Sequence, residues 1–169
     1  MLELDPRFLE AIQHLHNAQV RFVVVGGVAL NLHGGAHLTK DIDFGYGPEE
    51  ENRERLAGAM NEIHSKPLGW QSHNPFSVTA SQLGRVRFLN LKTDLGAIDL
   101  LPLPAGIDAF EDLWERADVM DLGGFSIRVA SIDDLIAMKK AAGRPKDERH
   151  LMELYALKKI IEDEESAVA

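Results

Sequence analysis

Apolar residues at Phe8, Leu9, Ile12 and Leu15 follow Asp5-Pro6 at the spacing of one helix face, behind a proline suited to a first turn. Val20–Val25 is rich in β-branched residues and reads as a buried strand. A short helix is predicted over Val28–His33, opening at Gly26-Gly27 and broken at Gly34-Gly35. Asp41–Phe44 reads as a short strand followed by a Gly-Tyr-Gly-Pro turn, and Pro48–His64 as a helix with a charged outer face. From Trp70 to Leu101 the pattern turns antiparallel. Strands are predicted at Phe76–Thr79, Arg85–Leu91 and Ala97–Leu101, with turns near Gln82-Leu83-Gly84 and Thr93-Asp94-Leu95-Gly96. A helix over Ile107–Ala117, a hairpin around Gly123-Gly124 within Val119–Val129, and helices over Ser131–Ala142 and Pro145–Ile161 complete the chain. This order predicts an α+β fold: a mixed β-sheet flanked by helices, with a C-terminal helical segment. Residues 1–130 read as the core and 131–169 as the helical segment packed on it, within one compact domain.

Composition narrows the class. With 45% hydrophobic residues in 169, the chain can bury an ordinary core. It has no cysteine, so neither a disulfide framework nor a thiolate metal site is available, which suits a reducing compartment. No apolar run reaches membrane-spanning length, and the N-terminus carries acids where a secretory signal would carry bases. The expectation is a soluble, cytoplasmic protein with no membrane association. A formal net charge of −9 disfavours strong non-specific binding to nucleic acid, while leaving room for a local basic cleft. Part of the acidity sits in Glu162-Asp163-Glu164-Glu165, read as a frayed, solvated helix end.

Two clusters carry candidate chemistry. Gly26-Gly27 sits where a strand becomes a helix; such a turn allows close backbone approach, and the free N–H groups of the helix start favour anions such as a triphosphate. A tight turn needing only positive φ is the alternative. Neither a G-x-G-x-x-G nor a G-K-[ST] follows, which removes the Rossmann and P-loop readings. Asp41 and Asp43 flank Ile42, and on a strand i and i+2 share a face, so Ile42 points to the core and both carboxylates point away together. Two like charges held side by side repel, unless a divalent cation such as Mg²⁺ lies between them. Asp99, in Ala97-Ile98-Asp99-Leu100-Leu101, occupies the face opposite Ile98 and Leu100, and a neighbouring strand would set it beside the pair. Three carboxylates can hold two metals about 3.5–4 Å apart, the arrangement of in-line phosphoryl or nucleotidyl transfer, and Asp99 could serve as general base. Surface acids on a solvated strand are the alternative. His33 and His37 are i, i+4, but Gly34-Gly35 between them argues against a helical zinc pair, and the other histidines show no ligand spacing; Arg85 and Arg87, i and i+2 on a predicted strand, read as a solvated face or as cleft lining; Trp70 and Phe76 read as packing, with base stacking the alternative.

The ordered set Gly26-Gly27, Asp41-Ile42-Asp43 and Asp99, with Thr39 opening a T-x-D-I-D run, resembles the nucleotidyltransferase superfamily related to DNA polymerase β. Ser131-x-x-Asp134-Leu135-Ile136-x-x-Lys139 followed by Ala142-Gly143-Arg144-x-Lys146-Asp147 looks like its AbiEii-type branch, which includes toxins of toxin–antitoxin pairs and small uncharacterised proteins. The resemblance spans Gly26 to Asp147. It implies that Asp41, Asp43 and Asp99 bind two Mg²⁺, with Mn²⁺ able to substitute, that Gly26 and Gly27 hold the triphosphate of an NTP such as ATP, and that an NMP moves to an acceptor hydroxyl. A tRNA end, a protein or a small molecule could supply that hydroxyl, and an antitoxin partner is implied.

Lys139 continues the apolar stripe of Ile132, Leu135 and Ile136, and Asp147 shares a face with Leu151, Leu154 and Lys158, so both charges are expected to point toward the body of the protein. They could pair with each other. The resemblance favours Lys139 on the triphosphate with Asp147 orienting it, making both nucleotide-binding. Two rival functions stand beside transfer: a nucleotide-binding module acting through a protein partner, and a phosphohydrolase using the same acids.

Overall fold

The computed structural model describes residues 4–168; Ala169 and Met1–Glu3, which open the acidic N-terminal stretch, lie outside the described residues. Seven helices and seven strands are described: α1 (Pro6–Asn17), β1 (Phe22–Val25), α2 (Gly26–Leu32), β2 (Asp41–Tyr46), α3 (Glu50–Glu62), β3 (Lys66–Pro67), α4 (Ala80–Leu83), β4 (Leu89–Thr93), β5 (Gly96–Leu101), α5 (Phe110–Arg116), β6 (Asp118–Asp121), β7 (Ser126–Val129), α6 (Ile132–Ala142) and α7 (Asp147–Val168). The strands form one mixed sheet in the order β3-β4-β5-β2-β1-β7-β6. β1 runs antiparallel to β2 and parallel to β7, β2 runs parallel to β5, and the hairpins β4–β5 and β6–β7 complete the two wings. This is the mixed sheet, flanked by helices and followed by C-terminal helices, that the patterning predicted.

Alternation sets the faces of the central strands. Ile42, Phe44 and Tyr46 are fully buried on one face of β2, and Ile98 and Leu100 are fully buried on β5. Asp41 and Asp43 fall on the other face of β2, and Asp99 on the other face of β5. All four residues of β1 are buried, as a central strand requires. α1 starts cleanly because Pro6 occupies the first turn and the Asp5 side chain accepts from Arg7 N–H, and it buries Phe8, Ala11, Ile12 and Leu15. Buried Asn52 on α3 accepts from Arg21 N–H at 2.6 Å and donates to the carbonyls of Arg21 and Gly47 at 3.0 Å each. It thereby ties the start of β1 to the end of β2, which keeps those two strands in register.

Several boundaries differ from the sequence reading. Gly45 and Tyr46 belong to β2 rather than to a turn, because the Tyr46 ring is buried and its hydroxyl donates to Leu83 O at 2.6 Å. Phe76–Thr79 is not a strand: Val78 pairs with the Asn61 side chain through both its N–H and its carbonyl, and Thr79 caps α4 by accepting from Gln82 N–H. Arg85 and Arg87 precede β4, which begins at Leu89, so they do not share a strand face. β3 is an added edge strand. α5 begins at Phe110 rather than Ile107. α7 begins at Asp147 rather than Pro145 and stays helical to Val168, so the Glu162–Glu165 run is exposed but helical. Ser131 caps α6 by accepting from Asp134 N–H, yet buried Asp134 does not complete a capping box; its carboxylate takes the Arg116 guanidinium at 3.0 Å.

Ile42→Ala removes a fully buried side chain between the two aspartates. It is expected to lower stability by about 2–5 kcal/mol in urea denaturation, with the m-value unchanged.

Candidate active site

Sheet register assembles the site. Asn90 pairs with Asp99, Asp99 with Asp43, and Asp43 with Val25, so one row crosses β4, β5, β2 and β1 and ends next to Gly26. Asp41 stands two residues from Asp43 on the same face. Oxygens of Asp41, Asp43 and Asp99 all lie within 4.8 Å of one another. Thr39 Oγ1 donates to the Asp41 carbonyl at 2.8 Å, and Asn90 Nδ2 donates to Asp99 Oδ1 at 2.6 Å.

Burial and mutual repulsion raise the proton affinity of this cluster. Burial, followed by the hydrogen-bonding contact with Asp99 and the charges of Asp41 and Asp99, pushes the Asp43 carboxyl up to about 8, against the opposing pull of Lys139. Burial and then Asp99 also raise Asp41. Three hard oxygen donors this close together suit a divalent metal. The donor set fits such an ion.

Gly26 is required by this geometry. It has φ +70°, and a Cβ there would fall on Asp43 Oδ2. A Cβ on Gly27 would sit 3.0 Å from His37 Cδ2 and 3.2 Å from Thr39 Cβ. The glycine pair therefore lets the β1–α2 turn close directly over the carboxylates, beyond any need for a tight turn.

Lys139 and Asp147 meet as one of their two expected arrangements. Lys139 Nζ lies 3.2 Å from Asp147 Oδ1, and Arg144 Nε lies 2.9 Å from Asp147 Oδ2. Burial works to raise the Asp147 carboxyl; the hydrogen bonds from Arg144 and Lys139 overrule it and hold it at about 2. Lys139 stays one-fifth exposed. It lines a cavity of about 260 Å³ together with Gly26, Asp43 and Arg144, walled by Leu101, Pro104, Leu135 and Met138. The salt bridge to Asp147 thus leaves Lys139 facing the same space as Asp43 and the glycine turn.

The structure brings Asp41, Asp43 and Asp99 together, sets Asp147 apart on Lys139 and Arg144, and leaves Arg85 and Arg87 exposed on the loop before β4. Two neighbours of the site escaped the sequence reading. Asn90 was within reach, since counting back from the Thr93–Gly96 turn puts it opposite Asp99. Arg144 stood in the sequence motif without a role; its backbone N–H and guanidinium both bond the Asp147 carboxylate three residues on.

A glycine turn between strand and helix, two carboxylates at i and i+2, and a third on the adjacent parallel strand define a nucleotidyltransferase. Residues 7–167 match the family described as nucleotidyl transferase AbiEii toxin, Type IV TA system. The chain belongs to that family. No curated protein matches it in sequence. Among solved structures, it resembles the lincosamide antibiotic adenylyltransferase LnuA bound to lincomycin, with TM-score 0.63 and 12% identity over 91% of this chain and 98% of that one. It also resembles ANT(2″)-Ia in complex with adenylyl-2″-tobramycin, with TM-score 0.56 and 13% identity over 95% and 91% of the two chains. At such identities the likeness speaks for the fold. Among the described residues no helix is long and apolar enough to cross a membrane.

The pH dependence of stability follows from Asp43. Unfolded, its carboxyl ionises near 3.8; folded and metal-free, near 8. Between those values the folded state holds the extra proton, so stability falls as pH rises through this window. Thermal unfolding of the metal-free protein is expected to show this decline, and Asp43→Asn is expected to flatten it. An equal decline in the variant would contradict the assignment.

Proposed function

We propose that this protein moves an NMP from an NTP to an acceptor hydroxyl in a Mg²⁺-dependent reaction. The carrying observation is the register that gathers Asp41, Asp43 and Asp99 with their oxygens within 4.8 Å of one another. In this reading the three aspartates hold two Mg²⁺, with Mn²⁺ able to replace them, and Asp43 is the ligand against the glycine turn. The metals, when bound, neutralise charge on the triphosphate and polarise its α-phosphate.

The chain's own residues do the rest. Gly26 and Gly27 leave room for the phosphate chain beside Asp43. Lys139 supplies a cation to it, and Asp147 and Arg144 fix the lysine's direction. Leu135, Met138 and Pro104 offer an apolar wall for the nucleoside. Asp99 accepts the proton of the acceptor hydroxyl, with Asn90 holding one of its oxygens so that the other stays available. The acceptor oxygen forms a bond to the α-phosphorus, the bond to the bridging oxygen of the β-phosphate breaks, and pyrophosphate leaves.

The family description supports a place in a toxin–antitoxin pair, with an antitoxin as partner, and is compatible with the cytoplasm. The lincomycin and tobramycin ligands of the fold neighbours support small-molecule hydroxyls as one acceptor class, beside RNA ends and protein hydroxyls.

The test is incubation with each α-labelled NTP, Mg²⁺ and a cell extract. Label is expected to enter RNA, protein or a small product, and to drop at least about a hundredfold in Asp41→Ala/Asp43→Ala. Rapid phosphate release without an acceptor would make the protein a hydrolase. Nucleotide binding without any transfer would make it a binding module.

A further inference from the structure

Two histidines meet beside the glycine turn. His37, on the loop between α2 and β2, is fixed through its backbone: its N–H donates to Asn31 Oδ1 and its carbonyl accepts from Asn31 Nδ2, both at 2.7 Å. His150 lies three residues after Asp147 on α7. The rings pack edge to face, with centroids 4.1 Å apart and planes at 74°. His37 Cδ2 lies against Gly27, 3.0 Å from where a Cβ would stand.

Both residues are half-buried, yet among the described residues neither ring has a hydrogen-bond partner. Three of the other five histidines are bonded: Nε2 of His14 to Ala59 O at 2.7 Å, Nε2 of His33 to Ala130 O at 2.8 Å, and Nδ1 of His64 to Asp94, while His16 and His73 are exposed. The ring nitrogens of His37 and His150 are therefore open to solvent or to a ligand.

We propose that His37 and His150 form part of the triphosphate seat, their ring N–H groups hydrogen-bonding to β- and γ-phosphate oxygens beside Lys139. This rests on the nucleotidyl-transfer reading. The surroundings suit an anion. Burial, then Lys139 and His37, hold the His150 imidazole below its usual range, with Asp147 and Glu153 pulling the other way. Neither carboxylate is bonded to a ring: Asp147 is taken by Lys139 and Arg144, and Glu153 Oε1 accepts from Ala36 N–H. A phosphate chain on the glycine turn would therefore find unclaimed donors at its far end. Because His37 packs on Gly27, the two would hold such a chain as one rigid unit.

The assignment separates phosphate contact from folding. NMP has only the α-phosphate, so its affinity should not depend on the histidines, whereas that of the NTP should. The measurement is calorimetric titration, with Mg²⁺, of the α,β-methylene analogues of the four NTPs and of the matching NMPs. His37→Ala/His150→Ala is expected to weaken the tightest-binding analogue roughly ten- to a hundredfold and to leave the NMP unchanged. His37→Asn/His150→Asn, which keeps N–H donors, is expected to recover part of the loss. A parallel fall for both ligands, or no change in either, would overturn the assignment while leaving nucleotidyl transfer intact. Failure of the wild-type protein to bind any analogue would overturn both.

Discussion

Three carboxylates are pinned within 4.8 Å of one another by strands that cannot slide. Two unit charges at that separation repel by about 3 kcal/mol at the effective dielectric of a protein surface. Such a cost is a sizeable part of the stability of a domain this small. Relaxation is blocked on the opposite face, because moving Asp43 or Asp99 to another register would expose Ile42, Phe44, Ile98 and Leu100. The core therefore fixes the acids in place. The remaining ways to relieve the repulsion are a proton, seen in the raised Asp43 carboxyl, or a cation.

The surrounding elements follow from that constraint. Gly26 is glycine because Asp43 fills the volume a side chain would need. Asn90 donates to Asp99 from the next strand, and Thr39 fixes the backbone at Asp41. Across this cavity, Lys139 and Arg144 both bond Asp147 and both line the space shared with Asp43. Charge thus rises from the acids on the sheet to the bases on the helices across a single cavity, a separation suited to a metal–polyphosphate ligand.

Much of this was legible in the sequence where periodicity and chemistry agreed. Asp41-Ile42-Asp43 declares its two faces through strand alternation alone, and Ile98-Asp99-Leu100 does the same. Gly26-Gly27 was legible as a turn, but not the reason for it, since the clash with Asp43 depends on β1 pairing antiparallel to β2. The misread segments are those where side chains replace ladder hydrogen bonds. Asn61 satisfies the backbone of Val78, so Phe76–Thr79 needs no strand partner despite its apolar residues. Gly45-Tyr46 looked like a turn because local glycine signals outweighed the burial of the Tyr46 ring, a tertiary effect. The meeting of His37 with His150 joins a loop to a helix over a hundred positions away, and no local pattern carries it.

The central claim is that the Asp41–Asp43–Asp99 cluster exchanges a proton for a divalent cation. Titration of Mn²⁺ into the protein at pH 7, followed by its paramagnetic resonance signal and by proton release measured in two buffers of different ionisation enthalpy, addresses this directly. Saturable binding is expected, with about one proton released per first metal bound, and loss of both in Asp43→Asn. Binding without proton release, or equal binding by the variant, would contradict it.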